Sequence, residues 1–237
     1  MKKTVTFLAI ALLLGFASCN NTQPGDNKDK IWLHRANTIE KARQFQHDYA
    51  GLEIDVHYVD SLKTFLIKHD AEDTCFLRLD DWCRAIENIS RLGIWFDFKN
   101  LNAGNRDAAL QNLISIRKKY HLDGKLYVES HAFKELAPFR SAGFLTSYYI
   151  PYFNPYTDDS ASCYQHLPQI QDAINSGVDA ISGYEFQYKF LKKEFPQQHK
   201  LIWTVSEKLD YQTQLINNIG GDSLVDVLLL PAKTIRP

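Results

Sequence analysis

Three acidic residues have a spacing that could build a cation site. Glu53 and Asp55 lie two positions apart in the stretch GLEIDVHY, and Asp97 lies in the later stretch WFDFKN. Residues i and i+2 of a strand point to the same face, so the first two carboxylates share a face. Burying carboxylates together is costly, and a hard divalent cation such as Mg²⁺ or Ca²⁺ compensates them through oxygen ligands. The alternative is that Glu53 and Asp55 lie on a solvated strand face.

Other polar residues with useful chemistry also follow apolar runs. His34 and Arg35 end the first run, His69 ends a later one, Lys99 follows the third acid, and Glu129 ends the run that begins at position 125. In a barrel of parallel strands such positions meet at the carboxyl ends of the strands, where these proteins bind ligands. We therefore expect Glu129 to line the same pocket as the candidate cation ligands.

Short apolar runs alternate with stretches of helical pattern along the chain. The candidate strands are 31–33, 52–59, 93–98, 125–128, 144–150, 178–182, 201–205 and 225–230, with an extra strand within 62–68. The candidate helices are 38–48, 79–91, 105–120, 132–141, 165–176, 185–194 and 208–218. Asn37, which precedes Glu40 by three positions, is predicted to cap the first helix, and Asn105 the third.

This alternation predicts a parallel sheet with helical crossovers. Eight strand–helix units between residues 31 and 237 fit a single compact (β/α)8 barrel, the TIM barrel of the α/β class. The rival fold is an open doubly wound sheet. That fold usually has a Gly-rich loop after its first strand, and the sequence contains neither GxGxxG nor a P-loop.

Four short motifs occur in a fixed order within residues 31–99. They are LHRANT, GLEIDVHY, LIKHD and WFDFKN. This set resembles the glycerophosphodiester phosphodiesterase superfamily, whose pattern is an HR pair, an ExD strand, an HD pair and a later acidic-x-Lys strand. The resemblance implies a TIM barrel that cleaves phosphodiesters. Beyond residue 99 it depends on the strand–helix alternation and on LIWTV at 201–205.

The chain departs from the usual pattern of that superfamily at several positions. Ala36 stands where Gly is usual, Asp97 stands where Glu is common, and the insertion that often follows the HD pair is missing. The compact loop and the Asp-x-Lys strand resemble the sphingomyelinase D-like branch and the menorin-like proteins of the same superfamily. That branch often has a disulfide in the loop after its second histidine. A Cys75–Cys83 disulfide and buried free thiols therefore both remain open.

The resemblance also implies a role for each polar residue of the site. The three acids would bind one divalent cation, Mg²⁺ or Ca²⁺. His34 and His69 would form the acid–base pair, because histidine titrates near neutral pH. Arg35 and Lys99 would bind the substrate phosphate and neutralise charge that builds up on it. The attacking oxygen is either a substrate hydroxyl, which gives a cyclic phosphate, or water.

The N-terminus has the pattern of an export signal. Two lysines precede an apolar run at 5–16 that is too short to span a membrane comfortably. Phe16-Ala17-Ser18-Cys19 resembles a bacterial lipobox, which implies that residues 1–18 are removed and that Cys19 is lipidated. Residues 19–30 would then be a flexible tether and 31–237 the barrel. We expect an exported lipoprotein, anchored in a membrane and facing the periplasm or the cell surface; an ordinary signal peptide is the alternative.

The charge composition limits the classes of molecule that the chain is expected to bind. Lys plus Arg is 27 and Asp plus Glu is 28, so the net charge of −1 is not that of a general nucleic-acid binder. We expect a monomer that acts on a phosphodiester small molecule or a lipid headgroup, with glycerophosphodiester or lysophospholipid-type substrates foremost. The aromatic stretch at 148–156 could hold a lipid chain or a glycan, or simply pack against the barrel. The alternative function is a non-catalytic exported lipoprotein that uses the same barrel to bind a ligand or a partner.

Overall fold

Strands and helices alternate along residues 27–205 and 209–232, which are the residues that the computed structural model describes. The strands are β1 (Ile31–Leu33), β2 (Gly51–Val59), β3 (Thr64–Ile67), β4 (Gly93–Phe98), β5 (Leu126–Ser130), β6 (Leu145–Tyr149), β7 (Ala180–Tyr184), β8 (His199–Trp203) and β9 (Val225–Leu230). The α-helices are α1 (Ile39–Phe45), α2 (Leu79–Ala85), α3 (Arg106–Tyr120), α4 (Ala137–Ser141), α5 (Ser160–Tyr164), α6 (Leu167–Asn175), α7 (Tyr188–Glu194) and α8 (Leu209–Leu215). Each predicted apolar run overlaps one of these strands.

Eight of the strands form a closed parallel barrel. Their order is β1-β9-β8-β7-β6-β5-β4-β2, and β1 closes the ring by pairing with β2. The closing pairs are Trp32 with Gly51 and Leu33 with Leu52. Helices flank this ring, so the predicted (β/α)8 barrel is confirmed and the open doubly wound sheet is wrong.

The ninth strand, β3, lies antiparallel to the outer half of β2. Val56 of β2 pairs with Phe98 of β4 and also with Ile67 of β3, so β3 and β4 occupy opposite edges of β2. The edge taken by β3 is available because β1 is only three residues long and pairs with β2 only near its start. As a result, the chain leaves β3 beside the carboxyl end of β2 and brings His69 to that end of the barrel.

A tryptophan fills the opposite end of the barrel. A Cβ atom built on Gly51 or Gly93 would lie 2.3 Å or 2.1 Å from the ring of Trp32, so both positions require glycine. Trp32 belongs to an interior cluster with Trp95, Tyr127 and apolar residues of β7, β8 and β9. A second, larger cluster packs between the barrel and the helices. Because the amino end of the barrel is filled, the cavity lies at the carboxyl end.

Local details differ from the sequence predictions at three places. Thr38, and not Asn37, caps α1, because its hydroxyl accepts a hydrogen bond from the amide of Lys41 at 3.1 Å. Asn105 occupies the cap position of α3 without a capping bond from its side chain. The predicted helix at 165–176 corresponds to α6, which has Pro168 in its first turn, and the short helix α5 before it was not predicted.

The remaining features of the described chain concern its ends and its cysteines. Residues 27–30, within the predicted tether, form a 3₁₀ helix, and the Lys30 ammonium donates to the carbonyl of Asp222 at 2.8 Å. Cys75, Cys83 and Cys163 are free thiols. Among the described residues, no helix combines the length and apolar character that a membrane crossing requires. The predicted signal peptide and Cys19 lie outside the described residues.

Candidate active site

A cavity of about 280 Å³ opens at the carboxyl end of the barrel. Its lining comprises His34, Arg35, Glu53, Asp55, His69, Trp95, Asp97, Lys99, Glu129, Tyr149, Tyr184, Trp203 and Leu229. All eight barrel residues that the sequence singles out as catalytic, substrate-binding or cation-binding are therefore brought together in one place. Among the aromatic side chains of the wall, Tyr149 belongs to the predicted aromatic stretch, whereas Trp95, Tyr184 and Trp203 were not predicted as site residues.

The three predicted cation ligands form one cluster. Glu53, Asp55 and Asp97 each offer an oxygen, and these oxygens lie within 4.8 Å of one another. Glu53 and Asp55 alternate on β2, and Asp55 stands directly opposite Asp97 in the β2–β4 register. Glu53 and Asp55 are almost fully buried, at 3% and 2% exposure. Burial, together with the charges of the two aspartates, raises the pKa of the Glu53 carboxyl well above its usual range.

Lys99 is the counter-ion inside this cluster. Its ammonium lies 2.9 Å from Asp55 and also forms an ion pair with Asp97. Although burial works in the opposite direction, these two carboxylates raise the pKa of Lys99. Three carboxylates against one ammonium leave the ionised cluster two charges short of neutrality. The carboxylate oxygens and this deficit fit one hard divalent cation.

The loop between β1 and α1 holds the two acids of β2 in place. The amide of Arg35 donates to the Glu53 carboxylate at 2.6 Å, and Arg35 has a left-handed backbone with φ of 54°. The Asn37 side chain donates to the Asp55 carboxylate at 2.6 Å and accepts from the Asp55 amide at 3.0 Å. Asn37 is therefore a positioning residue that the sequence analysis placed wrongly as a helix cap. The sequence feature that could have indicated this role is the position of Asn37 in LHRANT, two residues after the HR pair.

His69 lies between a carboxylate and a guanidinium. Its Nδ1 is 2.7 Å from Asp70, and its Nε2 is 2.9 Å from the guanidinium of Arg35. A guanidinium can only donate, so Nε2 accepts and Nδ1 carries the proton that is shared with Asp70. The His57 ring donates to the backbone carbonyl of His69 at 3.2 Å. These contacts fix both the tautomer and the position of the ring.

His34 has a different environment. Its side chain is 14% exposed, and its Nε2 lies 4.0 Å from the Glu53 carboxylate. Its ring packs against the ring of Trp203, with 5.7 Å between the two centroids. Burial, reinforced by the nearby charge of Arg35, lowers the pKa of His34 to about 3. The imidazole is therefore neutral at physiological pH, with one nitrogen able to accept a proton.

Glu129 forms the deep wall of the cavity. It stands opposite Asp97 in the β4–β5 register and is 2% exposed. Burial and the charge of Asp97 raise the pKa of its carboxyl well above the usual range. Within residues 27–205 and 209–232, neither Glu129 Oε2 nor the indole nitrogen of Trp95 has a hydrogen-bond partner. Buried polar atoms usually have partners, so this wall is suited to a polar group of a ligand.

Aromatic rings make the opposite wall. Tyr184 and Trp203 lie 3.8 Å apart between ring centroids, and Tyr149 contacts Trp203 at 5.6 Å. The predicted aromatic loop after β6 splits between two roles. Phe153 is buried against the barrel, whereas Tyr152 is 64% exposed at the rim. Packing and an open aromatic surface therefore both occur within the same stretch.

Comparisons with known proteins agree with this architecture. No family model matches the chain, and no curated relative matches it. A glycerophosphodiester phosphodiesterase from Parabacteroides distasonis superposes with a TM-score of 0.58 and 18% identity, over 86% of this chain and 94% of that one. An Oleispira antarctica phosphodiesterase, solved with its product sn-glycerol-3-phosphate, superposes with a TM-score of 0.57 and 11% identity, over 86% of this chain and 93% of that one. The chain therefore shares the barrel fold of the glycerophosphodiester phosphodiesterases, and the resemblance is confirmed at the level of fold.

Proposed function

We propose that this chain hydrolyses phosphodiesters with the help of one divalent cation, Mg²⁺ or Ca²⁺. The observation that carries the proposal is the convergence, in one cavity, of a three-carboxylate cluster, two histidines, an arginine and a lysine. Phosphodiester cleavage requires a proton acceptor, a proton donor and positive charge around the phosphoryl oxygens. The cavity contains residues suited to each of these tasks.

The carboxylates of Glu53, Asp55 and Asp97 would hold the cation, which when bound polarises the phosphoryl group and offsets negative charge on it. Arg35 and Lys99 line the same cavity and would donate to the non-bridging phosphate oxygens. Glu129, at the deep wall, would bind a polar group of the substrate. Together these groups would orient the phosphodiester for attack.

The two histidines divide the proton transfers between them. His34 is buried and neutral, so we assign it as the base that takes the proton of the attacking oxygen. His69 is backed by the Asp70 carboxylate, which would stabilise an imidazolium, so we assign it as the acid that protonates the leaving alkoxide. For this to happen, Arg35 must turn from His69 Nε2 toward the phosphate, and the freed Nε2 must take up a proton from solvent, which it then passes to the alkoxide. The attacker is a substrate hydroxyl or water, and the product identifies which.

We also propose that the chain is an exported lipoprotein that faces the periplasm or the cell surface. The support is the order of two lysines, an apolar run and Phe16-Ala17-Ser18-Cys19. Residues 1–18 would be the signal peptide, 19–30 the lipidated tether and 31–237 the barrel. Metabolic labelling with a clickable fatty acid should label the wild type and not Cys19→Ala. Equal labelling of both would refute the anchor.

The test of the catalytic proposal is ³¹P NMR on the full chain. Glycerophosphocholine, lysophosphatidylcholine and sphingomyelin would each be incubated with Mg²⁺ or Ca²⁺, with EDTA as the control. We expect a cation-dependent new phosphorus signal whose chemical shift separates a cyclic product from an open monoester. His69→Ala should lose the signal, and His47→Ala, an exposed histidine outside the cavity, should keep it. Absence of any signal with all substrates would favour the non-catalytic binding protein.

A further inference from the structure

A second concavity lies beside the catalytic cavity. It is a groove of about 400 Å³ between the loop after β6, the segment that follows β7 and the end of α8. Tyr156, Phe186 and Tyr188 form its walls, and Leu215 and Ile219 contribute from the last helix. We call this feature the aromatic groove. Of its described lining residues, only two carry a charge.

A chain of ring contacts connects the aromatic groove to the catalytic cavity. Tyr184, which lines the cavity, stacks on Phe186 of the groove with centroids 4.8 Å apart. Tyr152 contacts Tyr184 at 5.4 Å and Phe186 at 5.9 Å, so it bridges both rings. Ring contacts therefore join a residue of the cavity wall directly to a residue of the groove wall.

The groove exposes apolar surface that the fold itself does not cover. Tyr156 of the lining is 65% exposed, and Tyr152, which contacts Phe186 from outside the lining, is 64% exposed, although the same loop buries Phe153 almost completely. The charged residues of the lining are Glu185, which is itself buried, and Lys189, which is exposed. The other polar residues of the lining are the uncharged Gln214 and Asn218. A groove walled mainly by aromatic and aliphatic side chains suits a hydrocarbon chain better than a polyol.

We infer that the aromatic groove binds the acyl chain of a single-chain phosphodiester lipid whose phosphate lies in the catalytic cavity. This inference rests on the proposed phosphodiesterase function and narrows its substrate class to lysophospholipid-type molecules. The ring contacts carry it, because Tyr184 of the cavity wall stacks on Phe186 of the groove wall, so a ligand that extends from the carboxylate cluster past Tyr184 would next meet the groove. One groove provides room for one chain.

The test compares substrates that differ only in the chain. The full chain would be assayed with glycerophosphocholine and with lysophosphatidylcholines of increasing acyl length, each below its micelle concentration. We expect KM to fall about tenfold for every two methylenes that the groove buries, because each buried methylene favours binding. In Tyr156→Ala and Phe186→Ala, the ratio of kcat/KM between acylated and acyl-free substrates should fall about tenfold. Tyr164→Ala removes an exposed ring outside the groove and should leave this ratio unchanged.

A binding measurement separates this inference from the catalytic proposal. Lysophosphatidylcholines of increasing acyl length would be titrated into the wild type and Phe186→Ala in EDTA, where turnover is not required. Turnover of acylated and acyl-free substrates at equal kcat/KM would refute acyl-chain binding in the groove but would be consistent with the proposed phosphodiesterase activity. Absence of turnover, together with chain-length-dependent binding that Phe186→Ala abolishes, would support acyl-chain binding in the groove and refute the proposed phosphodiesterase activity. Chain-independent binding, or equal binding by both proteins, would also overturn the groove.

Discussion

Replacing Glu53 by Gln should separate cation binding from the stability of the barrel. Gln has the shape of the protonated acid, and its amide oxygen can still accept the 2.6 Å hydrogen bond from the Arg35 amide. The ion pairs of Lys99 go to Asp55 and Asp97, and burial beside these two acids raises the pKa of Glu53. The charge of Glu53 is therefore unfavourable without a cation. In EDTA, the melting temperature of Glu53→Gln should equal or exceed that of the wild type.

The magnitude follows from ligand linkage. A cation present at 100 times its Kd stabilises the folded state by about 2.7 kcal/mol. For a domain of this size, about 1 kcal/mol shifts the melting temperature by roughly 2–4 °C, so the wild type should gain about 5–10 °C. If the loss of one of three carboxylate ligands weakens affinity by about 100-fold, the stabilisation at the same cation concentration drops to about 0.4 kcal/mol. The variant should then gain only about 1–2 °C.

The assay is thermal unfolding of the full chain by circular dichroism, in EDTA and in saturating Mg²⁺ or Ca²⁺. Glu72→Gln, an exposed acid in the loop after β3, is the matched control and should show the full cation shift. A wild-type cation shift in Glu53→Gln would show that Glu53 is not a ligand. A melting temperature in EDTA that is more than about 5 °C below the wild type would show instead that its charge stabilises the barrel.

Three further predictions test other parts of the structure. Because the pKa of Glu53 is raised, cation binding should release a proton, and the affinity for the cation should rise by up to about tenfold per pH unit. Calorimetry in two buffers of different ionisation enthalpy measures the proton release. An affinity that does not change with pH would contradict the prediction. Gly93→Ala places a Cβ 2.1 Å from the Trp32 ring and should lower the free energy of unfolding in urea by about 1–3 kcal/mol; an unchanged midpoint would contradict this packing. Although burial raises the pKa of Asp222, hydrogen bonds from a tyrosine hydroxyl and a lysine lower it to about 2. The charged carboxylate therefore stabilises the folded state above the unfolded pKa near 4, and this stabilisation is lost as pH falls through 2. Asp222→Asn should cost about 2 kcal/mol at pH 7 and almost nothing at pH 2, and a pH-independent cost would refute the charge-based account.

The sequence predicts those features that depend on local pattern. β2 and β4 are identified from their apolar residues, and the i, i+2 spacing places Glu53 and Asp55 on one face correctly. The order of the motifs along the chain then places both histidines at the end of the barrel that holds the acids. These inferences succeed because strand periodicity and the shared polarity of parallel strands require no knowledge of side-chain contacts.

Features that depend on contacts between distant parts of the chain could not be predicted in this way. Asn37 has a type and spacing that fit a helix cap, and only the fold shows that it faces Asp55. Tyr184 and Trp203 come from β7 and β8 and become neighbours of the site only when the barrel closes. Their strands look like ordinary buried strands, because aromatic residues are common in sheets for reasons of packing alone.

Arg35 links the carboxylate cluster to His69, which we propose as the general acid. Its backbone amide binds Glu53, while its guanidinium binds His69, and this arrangement uses a left-handed backbone that costs a residue other than glycine on the order of 1 kcal/mol. The two contacts come from different parts of one residue, so the guanidinium can turn to a phosphate while the amide still holds Glu53. Binding of substrate would then release Nε2 of His69 without loosening the carboxylate cluster. One residue would thereby control separately the geometry of the proposed cation ligands and the availability of the histidine.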